Sequence, residues 1–198
     1  MNKTKRAAIF GGTFNPPHVG HFLIAKKIQK LFNLEKIVFV PAYIPPHKQG
    51  TAIVDAVRRG EMVKLLIEGE KDFIYSDYEI HKHDVSYSIN TVKYFMTEFP
   101  DTEFFFITGS DAFYGIDRWK ENSELLKLVK FIVYLRKDFP RQKITEKYPH
   151  IPIEWADPAE LIDLSSSNIR DKIKRGENCQ ADLGEKVWHY IDNKGLYK

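Results

Sequence analysis

Short runs of uninterrupted apolar residues alternate with segments of helical periodicity along the first two-thirds of this chain. The clearest runs occupy 7–10, 36–40, 104–108 and 131–135, with weaker strand candidates at 73–75 and 78–81. Apolar residues recur at helical spacing within 22–32, 57–67 and 86–99. Continuous apolar strands separated by helices are typical of a parallel sheet that is covered on both faces. We therefore predict an α/β, Rossmann-like doubly wound fold, with a mainly parallel sheet, helices on both faces and a helical C-terminal tail.

Composition narrows the class of protein. The chain has 198 residues, of which 43% are hydrophobic and 29% charged, and we expect residues 1–198 to form a single domain. The net charge of +3 suits anionic substrates, but the basic residues are not clustered as in a nucleic-acid binder, so we expect no nucleic-acid partner. No signal-peptide pattern or membrane-length apolar stretch is present, so we expect a cytoplasmic protein without a membrane partner. A homo-oligomer remains possible.

The segment 11–21, GGTFNPPHVGH, joins the first apolar run to the first helical segment. Gly11 and Gly12 can adopt positive φ or let a ligand approach the main chain. His18 and His21 share one face near the predicted helix N-terminus, where free N–H groups and the helix dipole favour phosphate. A Gly-Gly turn or a single histidine alone is more often structural. The combination predicts a phosphate-handling site.

The same segment resembles the GTFDPxHxGH signature of the nucleotidyltransferases, which move an adenylyl or cytidylyl group onto a phosphate. Asn15 stands where aspartate is commoner in that signature, and we assign it to the acceptor substrate. The resemblance implies ATP contacts from Gly11, Gly12, Thr13, Phe14, His18 and His21.

Two further segments resemble the nicotinate mononucleotide adenylyltransferases within that family. The loop 44–48, IPPHK, follows the second apolar run, and the resemblance implies acceptor contacts from His47 and Lys48. The segment 86–91, SYSINT, resembles a Ser-Tyr-Thr-x-Asp-Thr pattern. In the family, the residue aligned with Ser88 holds the nicotinate carboxylate through its main-chain N–H, although capping of the helix alone also explains these side chains.

Gly109 and Asp111, followed by Trp119, resemble the Gly-x-Asp…Trp segment of the same family. A carboxylate accepts more than one hydrogen bond, which suits Asp111 to the hydroxyls of a ribose. The flat face of Trp119 suits a pyridine ring, although core burial explains a tryptophan nearly as well without the resemblance. Lys120 occupies the position where the family usually has tyrosine, and we assign it to the acceptor site.

The segment 164–170, LSSSNIR, resembles the Ile-Ser-Ser-Thr-x-Ile-Arg motif of the family. Free N–H groups at a helix N-terminus, with the hydroxyls of Ser166 and Ser167, suit the β- and γ-phosphates of ATP. Arg170 adds a permanent positive charge. Arg136, directly after the fourth apolar run, is a further phosphate ligand in this scheme. A serine triplet before a helix is by itself usually only a cap.

The resemblance implies an enzyme that joins ATP and nicotinate mononucleotide to give nicotinate adenine dinucleotide and pyrophosphate, a step of NAD biosynthesis. The transfer is expected to be in line, with His18, His21 and Arg170 as catalytic groups and the imidazoles acting as imidazolium ions or N–H donors. Mg²⁺ is expected to accompany ATP, largely water-ligated, with no dedicated protein metal site. The alternatives are another branch, such as pantetheine-phosphate adenylyltransferase or a cytidylyltransferase, and a non-catalytic nucleotide- or RNA-binding module on the same fold.

Overall fold

The computed structural model describes residues 5–46, 53–156 and 164–198, so the predicted contacts of His47 and Lys48 lie outside the described residues. Six strands form one sheet in the order β3-β2-β1-β4-β5-β6, and every adjacent pair is parallel. The strands are β1 (Lys5–Gly12), β2 (Lys36–Pro41), β3 (Phe73–Tyr75), β4 (Thr102–Gly109), β5 (Lys130–Tyr134) and β6 (Ile153–Ala156). The predicted parallel α/β sheet is confirmed.

Helices connect the strands and cover both faces of the sheet, as predicted. They are α1 (Val19–Leu31), α2 (Ala56–Ile67), α3 (Tyr78–Lys82), α4 (Ser88–Glu98), α5 (Ser110–Phe113), α6 (Asn122–Leu128), α7 (Arg141–Lys147), α8 (Ser166–Lys174), α9 (Gln180–Leu183) and α10 (Glu185–Asn193). A 3₁₀ turn, Ile116–Arg118, precedes α6. None of the helices in the described part of the chain combines the length and the apolar character needed to cross a membrane.

The two faces of the sheet enclose separate apolar cores, because successive side chains of a strand point to opposite faces. In β1, Ala8 and Phe10 belong to the core under α1 and α2, whereas Ala7 and Ile9 belong to the core under α4, α6 and α7. A third core lies between α2 and the C-terminal helices and contains Met62, Ile169, Ile173, Leu183, Val187 and Ile191. The C-terminal helices therefore have a packing surface of their own on α2.

Two local predictions are wrong, and one strand was missed. The weak strand candidate at 78–81 is the short helix α3, in which the His81 N–H donates to the Asp77 carbonyl and His83 ends the helix at φ 51°. The polar, proline-bearing segment 137–152, which we expected to be a loop or irregular, contains α7, whose buried Ile144 packs in the core against the sheet. The edge strand β6 was not predicted, since four residues beside a loop carry too little pattern.

Arg59, in α2, is a buried cation that the sequence pattern does not reveal. It is 1% exposed, and its guanidinium donates to the carbonyls of Val54 at 2.7 Å, Thr13 at 2.6 Å, and Ala42 and Tyr43 at 2.6 and 3.0 Å. Burial lowers the pKa of Arg59, but the carbonyl dipoles compensate the charge. One side chain thereby ties the loops that follow β1 and β2 to α2.

We expect Arg59→Met to lower the free energy of unfolding by about 3 kcal/mol, because it leaves several buried carbonyls without a donor. Arg58→Met is the matched control: Arg58 is exposed and pairs with Asp55 at 3.4 Å, so its loss is expected to cost less than about 1 kcal/mol. Urea unfolding of both variants measures the difference. Equal losses of unfolding free energy in the two variants would show that the hydrogen bonds of Arg59 to the loops after β1 and β2 do not stabilise the fold.

Candidate active site

A cleft opens at the carboxyl ends of β1 and β4. These strands are neighbours at the point where the strand order reverses, so the chain leaves the sheet in opposite directions after them. The cleft has two parts. We call the part that reaches Ser166 and Arg170 the α8 cavity, with an empty volume of about 1400 Å³ including open space, and the part that reaches Ser88 the α4 cavity, with about 840 Å³.

Nearly all the described residues that the sequence assigned to the site line this cleft. Those in the α8 cavity are Gly11, Gly12, Thr13, Phe14, Asn15, His21, Gly109, Asp111, Trp119, Arg136, Ser166, Ser167 and Arg170. The α4 cavity is lined by Gly11, Gly12, Thr13, Ser88, Trp119 and Lys120. His18 lines neither cavity, although its ring centroid is 3.8 Å from that of His21. Their roles toward a ligand remain predictions.

The two glycines do not form a turn, contrary to prediction. Gly11 and Gly12 are the last residues of β1, and the positive φ of 50° belongs to Phe14 in the following loop. A Cβ atom on Gly11 would lie 3.1 Å from the Phe106 ring, and one on Gly12 would lie 3.0 Å from the Phe14 ring. A side chain at either position would crowd the aromatic rings packed against the end of β1.

His21 is held in one tautomer by the main chain. The N–H of His18 donates to Nδ1 of His21 at 3.2 Å, so in the neutral ring the proton is on Nε2. Because Nε2 is on the opposite side of the ring from Nδ1, this leaves His21 as an N–H donor away from the helix end. The ring also packs edge-on against Phe14, at a centroid distance of 5.1 Å. The rings of the two histidines lie side by side, with centroids 3.8 Å apart, although His18 is the N-cap residue and precedes the helix itself.

His18 caps α1 and is only 1% exposed. Burial, followed by the positive charge of Arg136, lowers its pKa from 6.5 to about 3. Of the two forms expected for His18, this low pKa favours the neutral N–H donor near neutral pH. Neither ring nitrogen has a hydrogen-bond partner among the described residues. Buried polar atoms are rarely left without a partner in folded proteins.

The N-terminus of α8 is joined to the loop after β1. The Ser165 hydroxyl caps the helix by accepting from the Asn168 N–H. The Ser166 hydroxyl donates to the Pro16 carbonyl at 2.8 Å, so its proton is already engaged. The Ser167 hydroxyl accepts from Arg170 at 3.1 Å and keeps its own proton for a further acceptor. Of the two serines predicted to bind phosphate, Ser167 is the better donor in this structure.

Two arginines bring permanent charge to the α8 cavity. Arg170 donates through Nη1 to the Asn15 carbonyl at 2.8 Å, and Arg136 donates through Nη1 to the Leu164 carbonyl at 3.0 Å. Nε of Arg136 is buried without a hydrogen-bond partner among the described residues. Each guanidinium is thus held by a main-chain carbonyl, and Arg170 also by the Ser167 hydroxyl. Both retain further N–H donors for an anion.

Asn15 is 5% exposed, and its side chain is used inside the protein. Its Oδ1 accepts from the Tyr197 hydroxyl at 2.8 Å and from the Val54 N–H at 3.3 Å. The end of the chain thereby fastens the loop after β1. Tyr197 was not recognised from the sequence, because nothing in a Gly-Leu-Tyr ending indicates where it packs.

The α4 cavity has a flat aromatic wall and a buried carboxyl group. Trp119 packs edge-on against Phe106, with ring centroids 6.0 Å apart, and the Lys120 ammonium lies 4.6 Å from the centre of the Tyr87 ring. Glu79 is 8% exposed and accepts from the Thr91 hydroxyl at 2.5 Å; burial raises its pKa. Glu79 was missed because it falls in the segment misassigned as a strand.

The low pKa of His18 predicts a pH-dependent stability. In the unfolded chain His18 takes up a proton below about pH 6.5, whereas in the folded protein it does so only near pH 3. Acidification between these two pH values therefore favours unfolding. Between about pH 7 and about pH 5 we expect His18 to account for a loss of about 2 kcal/mol, which His18→Gln should abolish. Urea unfolding at both pH values tests this, with exposed His150→Gln as the control expected to retain the wild-type slope. An unchanged slope in His18→Gln would refute the assignment.

Tyr197→Phe removes only the hydroxyl that donates to Asn15. We expect the free energy of unfolding to fall by about 1 kcal/mol and the Val54 amide to exchange faster, since both groups share Oδ1 of Asn15. Tyr190→Phe is the control, because that hydroxyl bonds to Glu61 away from the cleft. Faster Val54 exchange in both variants would show a general loosening and not a local one.

The chain is similar in sequence to proteins of a known family. The cytidylyltransferase-like family model matches residues 9–172. Probable nicotinate-nucleotide adenylyltransferases of Clostridium novyi and Clostridium kluyveri are 38% and 39% identical to this chain, and each alignment covers 98% of it and 100% and 99% of the relative.

Solved structures show the same fold. A Plasmodium falciparum nicotinic acid mononucleotide adenylyltransferase complexed with NaAD has a TM-score of 0.83 at 22% identity, covering 98% of this chain and 97% of that one. A putative nicotinate-nucleotide adenylyltransferase from Vibrio parahaemolyticus has a TM-score of 0.71 at 19% identity, covering 98% and 95%. The chain belongs to the nicotinate-nucleotide adenylyltransferases of the cytidylyltransferase-like family.

Proposed function

We propose that this protein joins ATP and nicotinate mononucleotide, forming nicotinate adenine dinucleotide and releasing pyrophosphate in NAD biosynthesis. The observation that carries the proposal is the meeting of the two cavities at the end of β1. The α8 cavity collects His21, Arg136 and Arg170, which suit a triphosphate, and the α4 cavity presents Trp119 beside the α4 N-terminus, which suits a pyridine carboxylate. The family membership of the chain agrees with both.

In this reaction an oxygen of the mononucleotide phosphate attacks the α-phosphorus of ATP. The new P–O bond forms as the bond to the β-phosphate breaks, and pyrophosphate leaves with the electron pair. His21 donates its Nε2–H to a phosphate oxygen, while Arg136 and Arg170 offset negative charge on the triphosphate without a proton transfer. The chain contributes alignment and charge stabilisation, with no covalent intermediate.

The residues of the cleft fit Mg²⁺ that arrives with ATP. No group of three or more potential ligands among histidine, cysteine, aspartate and glutamate occurs in the described residues, and Asp111 is the acidic side chain that lines the α8 cavity there. A cation bound mainly by phosphate oxygens and water needs no more than this. When bound, Mg²⁺ neutralises part of the phosphate charge. Asp111 itself is assigned to the ribose hydroxyls of ATP, and Ser88, Lys120 and the main chain of Asn15 to the acceptor.

We expect His21→Ala to lower kcat by about 100-fold or more, because it removes a donor that is aligned before the reaction. Circular dichroism and urea unfolding should show an intact fold, and exposed His189→Ala should leave turnover unchanged. Turnover near that of the wild type in His21→Ala would remove this histidine from the mechanism.

The substrate assignment is tested by pyrophosphate release from ATP and Mg²⁺ with three acceptors in parallel. Nicotinate mononucleotide is expected to support fast release, nicotinamide mononucleotide much slower release, and phosphopantetheine none. Release with phosphopantetheine alone would move the protein to another branch of the family. Absence of release with all three, together with salt-dependent RNA binding, would support the binding-module alternative.

A further inference from the structure

The two cavities of the cleft share part of their lining, and one shared residue is charged. The residues common to both are Gly11, Gly12, Thr13, Pro45, Thr108, Ala112, Arg118 and Trp119. Within the described residues, Arg118 is therefore the cation at the junction. It ends the 3₁₀ turn and directly precedes Trp119 in the chain. None of the family motifs described above includes Arg118.

The Arg118 guanidinium is available to a ligand. The side chain is exposed, and it has no hydrogen-bond or ion-pair partner among the residues that the structure describes. Its Nη2 would lie 2.9 Å from a Cβ atom on Gly115, so the absence of a side chain there lets the guanidinium lie against the turn. Arg136 and Arg170 differ, because each already donates to a main-chain carbonyl.

The reaction itself needs positive charge at this junction. This step rests on the proposed function: ATP phosphates in the α8 cavity and the nicotinate ring in the α4 cavity bring the acceptor phosphate between them. Two polyanions approaching within a few ångströms repel each other unless a cation lies beside them. A guanidinium suits this position because its planar fork binds phosphate through two parallel hydrogen bonds.

We infer that Arg118 binds the phosphate of the acceptor mononucleotide and holds it for attack on ATP. Its neighbour Trp119 provides the face proposed for the pyridine ring. Adjacent residues thus hold the two ends of the same substrate, so a single peptide bond connects the residue that stacks on the ring to the residue that binds the phosphate. The role is a substrate contact and is distinct from that of the arginines on the triphosphate side.

The inference is tested with Arg118→Ala and Arg118→Lys, measuring KM for each substrate separately. In Arg118→Ala we expect KM for nicotinate mononucleotide to rise about 10- to 100-fold and KM for ATP to change less than about 3-fold. Arg118→Lys should recover part of the loss, since it restores charge but not the fork. Arg175→Ala is the matched control, because Arg175 is exposed, lines neither cavity and pairs with Glu177 at 2.6 Å.

A ligand comparison separates a phosphate contact from a general disturbance of the pocket. Dissociation constants are measured by calorimetry for nicotinate mononucleotide and nicotinate riboside, which lacks the phosphate. Arg118→Ala should weaken the mononucleotide about 10-fold or more and leave the riboside unchanged.

Equal weakening of both ligands, or a rise in KM for ATP alone, would overturn the inference. An Arg118→Ala variant with wild-type constants would do the same while leaving the proposed function intact. Failure of the wild type to bind nicotinate mononucleotide at all would instead refute the proposed function, and the inference with it.

Discussion

The parallel pairing of β1 with β2 on one side and β4 on the other is the constraint on which the cleft depends. Since all the strands run the same way, the loops after them emerge at one edge, and the reversal of strand order separates the loops of β1 and β4 enough to leave a crevice. The residues at the end of β1 consequently border both cavities.

The loop between β1 and α1 is held by side chains that donate to its carbonyls. Arg59 donates to Thr13, Arg170 to Asn15, and Ser166 to Pro16. These donors come from α2 and from α8, which are far apart in sequence. The same bonds that order the loop also orient the Arg170 guanidinium, so stability and the position of a proposed phosphate ligand depend on the same contacts. A loop carrying two proposed catalytic histidines to the start of a helix needs this support, because misplacement of about 1 Å is costly in group transfer.

Positive charge in the cleft is supplied by arginine and not by imidazolium at His18. Burial keeps that ring neutral, with the pKa lowered to about 3, and the charge of Arg136 acts in the same direction. The guanidinium groups carry permanent charge, whereas His21 has its ring N–H on Nε2 because the main chain at the helix end donates to Nδ1. In its proposed role, Arg118 adds a permanent positive charge on the acceptor side of the cleft.

The alternation of the longer strands and helices, the position of the histidines after β1 and the serine cap of α8 could be predicted from sequence, because they depend on local periodicity and on side chains that cap their own helix. The short elements α3, α7 and β6 could not, because they carry too little local pattern. What tertiary structure alone decided is which distant groups meet. Neither the burial of Arg59, nor the bond from Tyr197 to Asn15, nor the position of Arg118 between the cavities leaves a local pattern, since each follows from the packing of elements remote in the chain. Sequence by itself determined the family, the parallel α/β class and which residue types follow the strands. Packing decided which of those residues are buried, neutral or exposed in the cleft, because burial and distance are properties of the folded chain.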